Sequence, residues 1–267
     1  MSAPSLAAAG GDIPPVDWLG RPLDCAACVH AELRALGGCE PGRSCVGDRY
    51  ARRVDRFFRT HPGLANAHLR HPYFEVRAIV ARHADLFHLQ RLIDDPDETV
   101  RHSVAMRLPQ RQLLTLVNDP HREVRIRVAW RLAPDSLPLM RGDADYHVRT
   151  IVARRMPAAL LGLMARDADD AVRAEVAQRI AMPALWALAG DTSPVVRRVV
   201  AQRLPLPLLH RLQNDDDWCV RWEVVQRADR RVLQALQADA DCEIRGAALA
   251  RLQTLTRPAS TEETCHG

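Results

Sequence analysis

A Val-Arg dipeptide returns every 24 residues along most of this chain, and that beat constrains the fold more than any other feature of the sequence. It starts at Val76-Arg77 and recurs at Val100-Arg101, Val124-Arg125, Val148-Arg149, Val172-Arg173, Val196-Arg197 and Val220-Arg221, closing on Ile244-Arg245. A period kept through eight copies identifies a repeat protein, in which each unit packs on its neighbours and most residues are scaffold. The chemistry is then to be sought where the period fails. It fails toward the N-terminus, where Cys25, Cys28, Cys39 and Cys45 fall in one short segment.

Within each repeat, apolar residues follow the Val at four, five and eight positions, as in Val100, Val104, Ala105 and Leu108. That spacing lines one face of an α-helix. Five positions before the Val stands Asp95, Asp119, Asp143, Asp167, Asp191, Asp215 or Asp239, followed in two repeats by Pro96 or Pro120. An Asp followed by Pro predicts an N-cap and a first helical residue, with Glu98 completing a capping box on Asp95. Pro109, Pro157 and Pro205 close the helix, and Pro134 and Pro183 break nearby positions. A short apolar group comes next, such as Leu113 and Leu116, whose spacing suits a 3-10 helix. Aromatic residues make up only 4% of the chain, so the core is built from Ala, Val and Leu, which suits closely stacked helices better than a sandwich or barrel.

All 37 basic residues are Arg. A codon preference is the favoured explanation, with selection for bidentate anion recognition as the alternative. The net charge of +4 is too mild to argue for nucleic acid without a clustered patch. The Arg after each Val falls inside the apolar arc of its helix, so Arg77 and its equivalents point inward or along the helix seam. A buried guanidinium needs a partner. The capping Asp, from the same repeat or the next, is the expected one, giving an Asp-Arg ladder. A second series, Arg107, Arg131, Arg155, Arg179, Arg203, Arg227 and Arg251, lies at the edge of the apolar face. It reads as a solvated flank whose stems cover apolar neighbours. The functional alternative is a basic stripe that meets an acidic protein or a polyanion.

Cys25 and Cys28 form a C-x2-C pair, with Cys39 and Cys45 following. Four thiolates in so short a window suit tetrahedral zinc or an iron-sulfur cluster. The second spacing closes a looser loop than a zinc ribbon uses, and Gly37-Gly38 and Pro41-Gly42 supply turns that can wrap a cluster. Spacing alone leaves cluster, zinc and unligated thiols open. Seven cysteines, no visible secretory leader and no apolar run of membrane length predict a cytoplasmic protein with no membrane association. Cys219 and Cys242 read as small seam residues, and Cys265 and His266 as part of a polar tail. His68, His71 and His83 show no ligand spacing with the cysteines. No Gly-rich phosphate loop, G-x-S-x-G or H-E-x-x-H occurs, so no catalytic residue is assigned and the protein is not expected to be an enzyme.

From about Asp48 to Leu255 the pattern resembles the leucine-rich repeat variant family, in segments such as Asp119 to Leu132 followed by Leu137 and Met140. The period of 24 is shorter than the paired-helix HEAT and armadillo units, which need about 40 residues; HEAT-like stacking is the second choice. The resemblance implies an all-α fold, a right-handed superhelical solenoid of alternating α and 3-10 helices. It also implies an N-terminal 4Fe-4S domain in which Cys25, Cys28, Cys39 and Cys45 occupy the ligand positions, with zinc as the alternative metal. The expected division is a tail over 1–22, a cluster domain over 23–50, a solenoid of about eight repeats over 51–255 and a tail over 256–267. The first repeat is a degenerate cap. Arg53 keeps its position, but Arg52 replaces the Val, His71 replaces the Asp, and Phe57 and Phe58 add bulk. The expected function is a cluster protein for electron transfer or redox sensing whose solenoid binds an unidentified protein partner. The alternatives are a non-redox scaffold with a structural metal cap, or a nucleic-acid-binding solenoid that uses the Arg107 series. An association with nitrogen-fixing bacteria belongs to the same resemblance.

Overall fold

A computed structural model describes residues 13–256. The fold is all-α, as predicted, and among the described residues the β pairings are two isolated bridges, Val16 with Pro22 and Glu40 with Ser44. The chain divides after Ala133 into two compact units. The first holds α1 (Ala31–Ala35), α2 (Ala51–Thr60), α3 (Phe74–His83), α4 (Glu98–Ala105), α5 (Gln110–Leu113) and α6 (Arg122–Arg131). Its 3-10 segments are Pro62–His68, Leu86–Leu92 and Leu114–Leu116. There α2 packs on α3, α3 on α4 and α4 on α6. The second unit holds α7 (Tyr146–Arg155), α8 (Asp170–Arg179), α9 (Ala184–Ala187), α10 (Pro194–Arg203), α11 (Trp218–Arg227), α12 (Arg230–Leu236) and α13 (Cys242–Thr256), with 3-10 segments between most of them. There α7 packs on α8, α8 on α10, α10 on α11 and α11 on α13. Each repeat is thus an α-helix followed by a short helix, most often 3-10.

The beat positions form the core. Val76, Val100, Val124, Val148, Val172, Val196, Val220 and Ile244 are all 0% exposed, as are Val104, Ala105 and Leu108 one and two turns on. Full burial of such a side chain contributes about 1.5–3 kcal/mol.

The Asp-Arg ladder is present in each unit, and it runs forward. Arg101 Nε donates to Asp119 Oδ2 at 2.7 Å and Nη2 to Asp119 Oδ1 at 3.0 Å, while Nη1 turns back to the Asp95 carbonyl at 2.8 Å. Arg77 meets Asp95 in the same way, and in the second unit Arg149 meets Asp167, Arg173 meets Asp191, Arg197 meets Asp215 and Arg221 meets Asp239. These Arg side chains are only 11–15% exposed and their Asp partners 2–7%. The bidentate fork between planar guanidinium and carboxylate fixes the angle between repeats as well as joining them.

The ladder Asp is not the helix cap that the sequence suggested. Helix α4 begins at Glu98, and its N-cap is Asp97, whose side chain accepts from the Thr99 N–H. Asp95 instead accepts the Asp97 N–H at 3.0 Å, closing the turn before the helix. The capping box with Glu98 is therefore absent, because Glu98 is the first helical residue. Asp145, Asp169 and Asp217 cap α7, α8 and α11. The turn aims the first carboxylate at the incoming Arg, and the second residue caps.

The second Arg series is not a free flank or a stripe. Arg179 Nη1 donates to the carbonyls of Ala153, Arg154 and Met156, each at 2.8 Å, at the C-terminal end of α7. Arg107 serves Ala81 and Ala84, Arg131 serves Ala105 and Leu108, and Arg203 serves Ala177 and Ile180. A cation on the unsatisfied carbonyls of a helix end is favourable for both hydrogen bonding and the helix dipole. Arg179→Ala is expected to cost about 1–2 kcal/mol in urea unfolding. Arg166→Ala, at an exposed site, should stay within about 0.5 kcal/mol. Equal costs would show that the carbonyl contacts contribute nothing.

The degenerate first repeat turns its ladder backward. With His71 in place of the next Asp, Arg53 Nη1 donates to Asp48 Oδ2 at 3.0 Å, both side chains being buried. Its Nη2 reaches the Ile13 carbonyl at 2.7 Å. Residues 13–22 are therefore tied into the N-terminal domain, ahead of the expected boundary at 23. The Cys265 and His266 assignments lie outside the described residues.

Candidate metal centre

Local turns gather the four cysteines. Asp24 Oδ1 accepts the Ala26 and Ala27 N–H groups at 2.9 and 3.1 Å, closing the turn between Cys25 and Cys28. The Cys28 carbonyl accepts the Ala31 N–H at the start of α1. That helix stops at Gly37, at φ 74°, a conformation L side chains rarely adopt. The Gly38 N–H then bonds the Leu33 carbonyl at 2.8 Å. A Cβ on Gly38 would stand 2.6 Å from the Leu33 side chain, which would have to shift to admit one. The Glu40–Ser44 bridge folds the next loop back to Cys45, whose N–H bonds the carbonyl of Arg53 in α2 at 3.2 Å. One residue, Arg53, thus anchors the last cysteine to the first repeat.

The result is a small, tight cavity of about 20 Å³ lined by Cys25, Cys28, Cys39 and Cys45 together with Arg34 and Phe57. None of the four thiols is in a disulfide. Burial pushes the Cys45 thiol up to about 11, and the charges of Cys25 and Asp48 add to this against a backbone hydrogen bond from Gly47. Burial also raises Cys39, with Cys28 and Cys25 reinforcing it and Arg34 opposing. Four thiolates would not accumulate here without cationic charge to hold them. Among the described residues, no three Cys, His, Asp or Glu side chains converge tightly enough to grip one metal ion. Four cysteine thiols around one cavity are the donor set of an iron-sulfur cluster and of tetrahedral zinc alike.

Two neighbours were not legible in the sequence. Phe57, fully buried on α2, forms an apolar wall of the cavity. His30 lines the cavity, donates its N–H toward Cys28 Sγ at 3.4 Å and pairs its Nε2 with His68 Nε2 at 2.8 Å. His68, His71 and His83 stand outside the thiol cavity; His83 faces Asp55 at 3.2 Å. Cys219 and Cys242 belong to the second unit, at the start of α11 and α13. Cys219 is half-buried and Cys242 exposed.

Fold and site together define a helical repeat protein that carries a thiolate metal domain at its N-terminal end. A family model described as the LRV protein FeS4 cluster matches residues 15–67, and the leucine-rich repeat variant model matches residues 74–97. A solved structure described as a leucine-rich repeat variant with a novel repetitive protein structural motif is 43% identical, with a TM-score of 0.81, over 86% of this chain and 98% of that one. An "uncharacterized 27.7 kDa protein in nifB 3′ region" of Rhodobacter capsulatus is 48% identical over 95 residues, 36% of this chain and 39% of that protein. The match therefore spans well under half of that relative. The chain belongs to the leucine-rich repeat variant family, and its N-terminal domain is the family's 4Fe-4S cluster domain.

Proposed function

We propose that Cys25, Cys28, Cys39 and Cys45 ligate the 4Fe-4S cluster and that the protein is a non-enzymatic redox partner, exchanging electrons with another protein or sensing redox state. The observation that carries this reading is four free thiols lining one cavity inside the domain matched by the cluster model. A bound cluster supplies a one-electron couple. The chain supplies the rest. Four Cys ligands leave no iron corner open to a substrate, Phe57 limits water, and the His30 N–H and the Arg34 guanidinium place positive charge near the sulfurs. Such second-layer contacts stabilise the reduced state and raise the potential.

The solenoid is read as the partner-binding part. A nucleic-acid role for the Arg107 series loses support, because those guanidiniums serve helix-end carbonyls. A cytoplasmic setting belongs to the same proposal; no helix among the described residues is long and apolar enough to cross a membrane. The relative in the nifB 3′ region makes a setting in nitrogen fixation part of the proposal.

Anaerobically purified protein is expected to be brown, to hold about four iron and four sulfide per chain, and to be reversibly reduced in a potential titration followed by EPR. A colourless protein with one zinc would overturn the ligand assignment. A cluster that never takes up or gives up an electron reversibly would overturn the redox reading and leave a structural cap.

A further inference from the structure

Beside the thiol cavity the N-terminal domain opens into a second space, a groove of about 970 Å³. Cys28 and His30 line both, so the groove reaches the outer side of a cluster ligand. Its size lies at the upper end of the roughly 300–1,000 Å³ that small ligands occupy.

The lining is specific in chemistry. Trp18 is braced edge-on by His71 at 4.8 Å and lies nearly parallel to Tyr73 at 6.4 Å. Val29 adds an apolar surface that is 83% exposed. The acids at the groove are already engaged. Asp17 accepts from the Leu19 N–H, the Arg21 N–H and Arg21 Nε at 2.8–2.9 Å, and Asp24 closes its turn. Donors are left over. His71 Nδ1 accepts the Tyr73 N–H at 3.1 Å, so a neutral His71 carries its proton on Nε2 and offers a donor. Arg70 is exposed and has no carboxylate partner among the described residues. A flat apolar and aromatic surface next to an uncompensated guanidinium and an N–H donor selects an anion that carries a ring.

We propose that this groove binds a planar heteroaromatic monophosphate of mononucleotide size, its phosphate on Arg70 and His71 and its ring against Trp18 and Val29. Arg provides the bidentate fork that phosphate oxygens match, and the ring is held by stacking and burial. An adenylate and a flavin mononucleotide share this chemistry. The site does not depend on the redox reading, since binding is measured directly and iron is assayed separately.

The test is calorimetry on the anaerobically purified, cluster-containing protein with FMN, AMP and inorganic phosphate. FMN or AMP should bind at least tenfold more tightly than phosphate, and whichever binds more tightly identifies the source. Arg70→Glu and Trp18→Leu should each weaken that binding at least tenfold, while Arg52→Glu on the exposed face of α2 leaves it unchanged. Trp18→Phe keeps a stacking ring and guards against misfolding; it should retain most of the affinity. The proposal is overturned if neither nucleotide outbinds phosphate, or if binding survives both Arg70→Glu and Trp18→Leu in folded protein.

Discussion

Cys28→Ser is expected to come through anaerobic purification with its iron reduced from about four per chain to below about one, and with its visible charge-transfer absorption lost. A serine oxygen is a harder and far more basic ligand than a thiolate and does not replace one on a cluster iron. Of the four proposed ligands, Cys28 has the most prepared surroundings, since its sulfur receives the His30 N–H and its carbonyl starts α1. Without the iron charge, burial favours the protonated forms of Cys45 and Cys39. The second compact unit contains none of these four cysteines, so its helical signal in circular dichroism should persist. Cys219→Ser should keep the full iron complement. A Cys28→Ser protein that still carried four iron atoms would remove Cys28 from the ligand set. A pull-down from the native host with both variants then asks whether the partner needs the cluster.

Arg173→Leu should destabilise the second unit by about 3 kcal/mol, the cost of leaving one member of a largely buried ion pair uncompensated. It removes two hydrogen bonds to Asp191, at 2.7 and 2.8 Å, and strands an Asp191 side chain that is 6% exposed. It also frees the Asp167 carbonyl. Arg154→Leu breaks an exposed pair with Glu175 and should cost under about 1 kcal/mol. Urea unfolding separates the two, and equal costs would place the ladder among ordinary surface pairs. The pH dependence has a defined sign. Burial alone would raise the Asp191 carboxyl, but hydrogen bonds from Arg173 and the Ser193 N–H outweigh it and hold the group below its ordinary 3.8. Asp215 and Asp239 shift in the same direction through Arg197 and Arg221. A carboxyl lowered in the folded state contributes stability that is complete above its unfolded pKa and is lost as pH falls through the folded one. The ladder's contribution should therefore be flat above about pH 5 and decline below it, and the gap between wild type and Arg173→Leu should narrow there.

The sequence disclosed what depends on residue type at fixed spacing. The apolar face, the short second helix, the pairing of a repeated Arg with a repeated Asp and the meeting of four cysteines all follow from that kind of evidence. It disclosed less where the partner is the backbone. Arg107 and its equivalents donate to carbonyls, which every residue carries, so nothing in the side-chain pattern marks them as engaged. The cap was misplaced because two polar residues, Asp95 and Asp97, stand two apart and share the work; the Asp-x-Asp pattern of the repeats was the missed signal. The direction of the ladder required two repeats in space, since one helix cannot show a carboxylate 18 positions ahead. Phe57 and His30 reach the thiol cavity through packing of α2 and a turn after Cys28, and their spacing from the cysteines carries no signature. The domain's earlier start has the same origin, a bond from Arg53 to the Ile13 carbonyl.

In the second unit Arg149, Arg173, Arg197 and Arg221 each take a carboxylate from 18 residues ahead and a carbonyl from six residues behind. Duplicating or deleting a block of 24 residues inside the second unit would rejoin an Arg with an equivalent Asp at the seam, and every such pair would survive. A block of any other length would orphan one cation and one anion together. Growth of a chain like this is therefore quantised. Recombination between repeats can lengthen or shorten it in whole units at little cost to folding, while a slip of a few residues is purged, and the reach of its surface becomes a heritable variable that can change without redesigning the cluster domain.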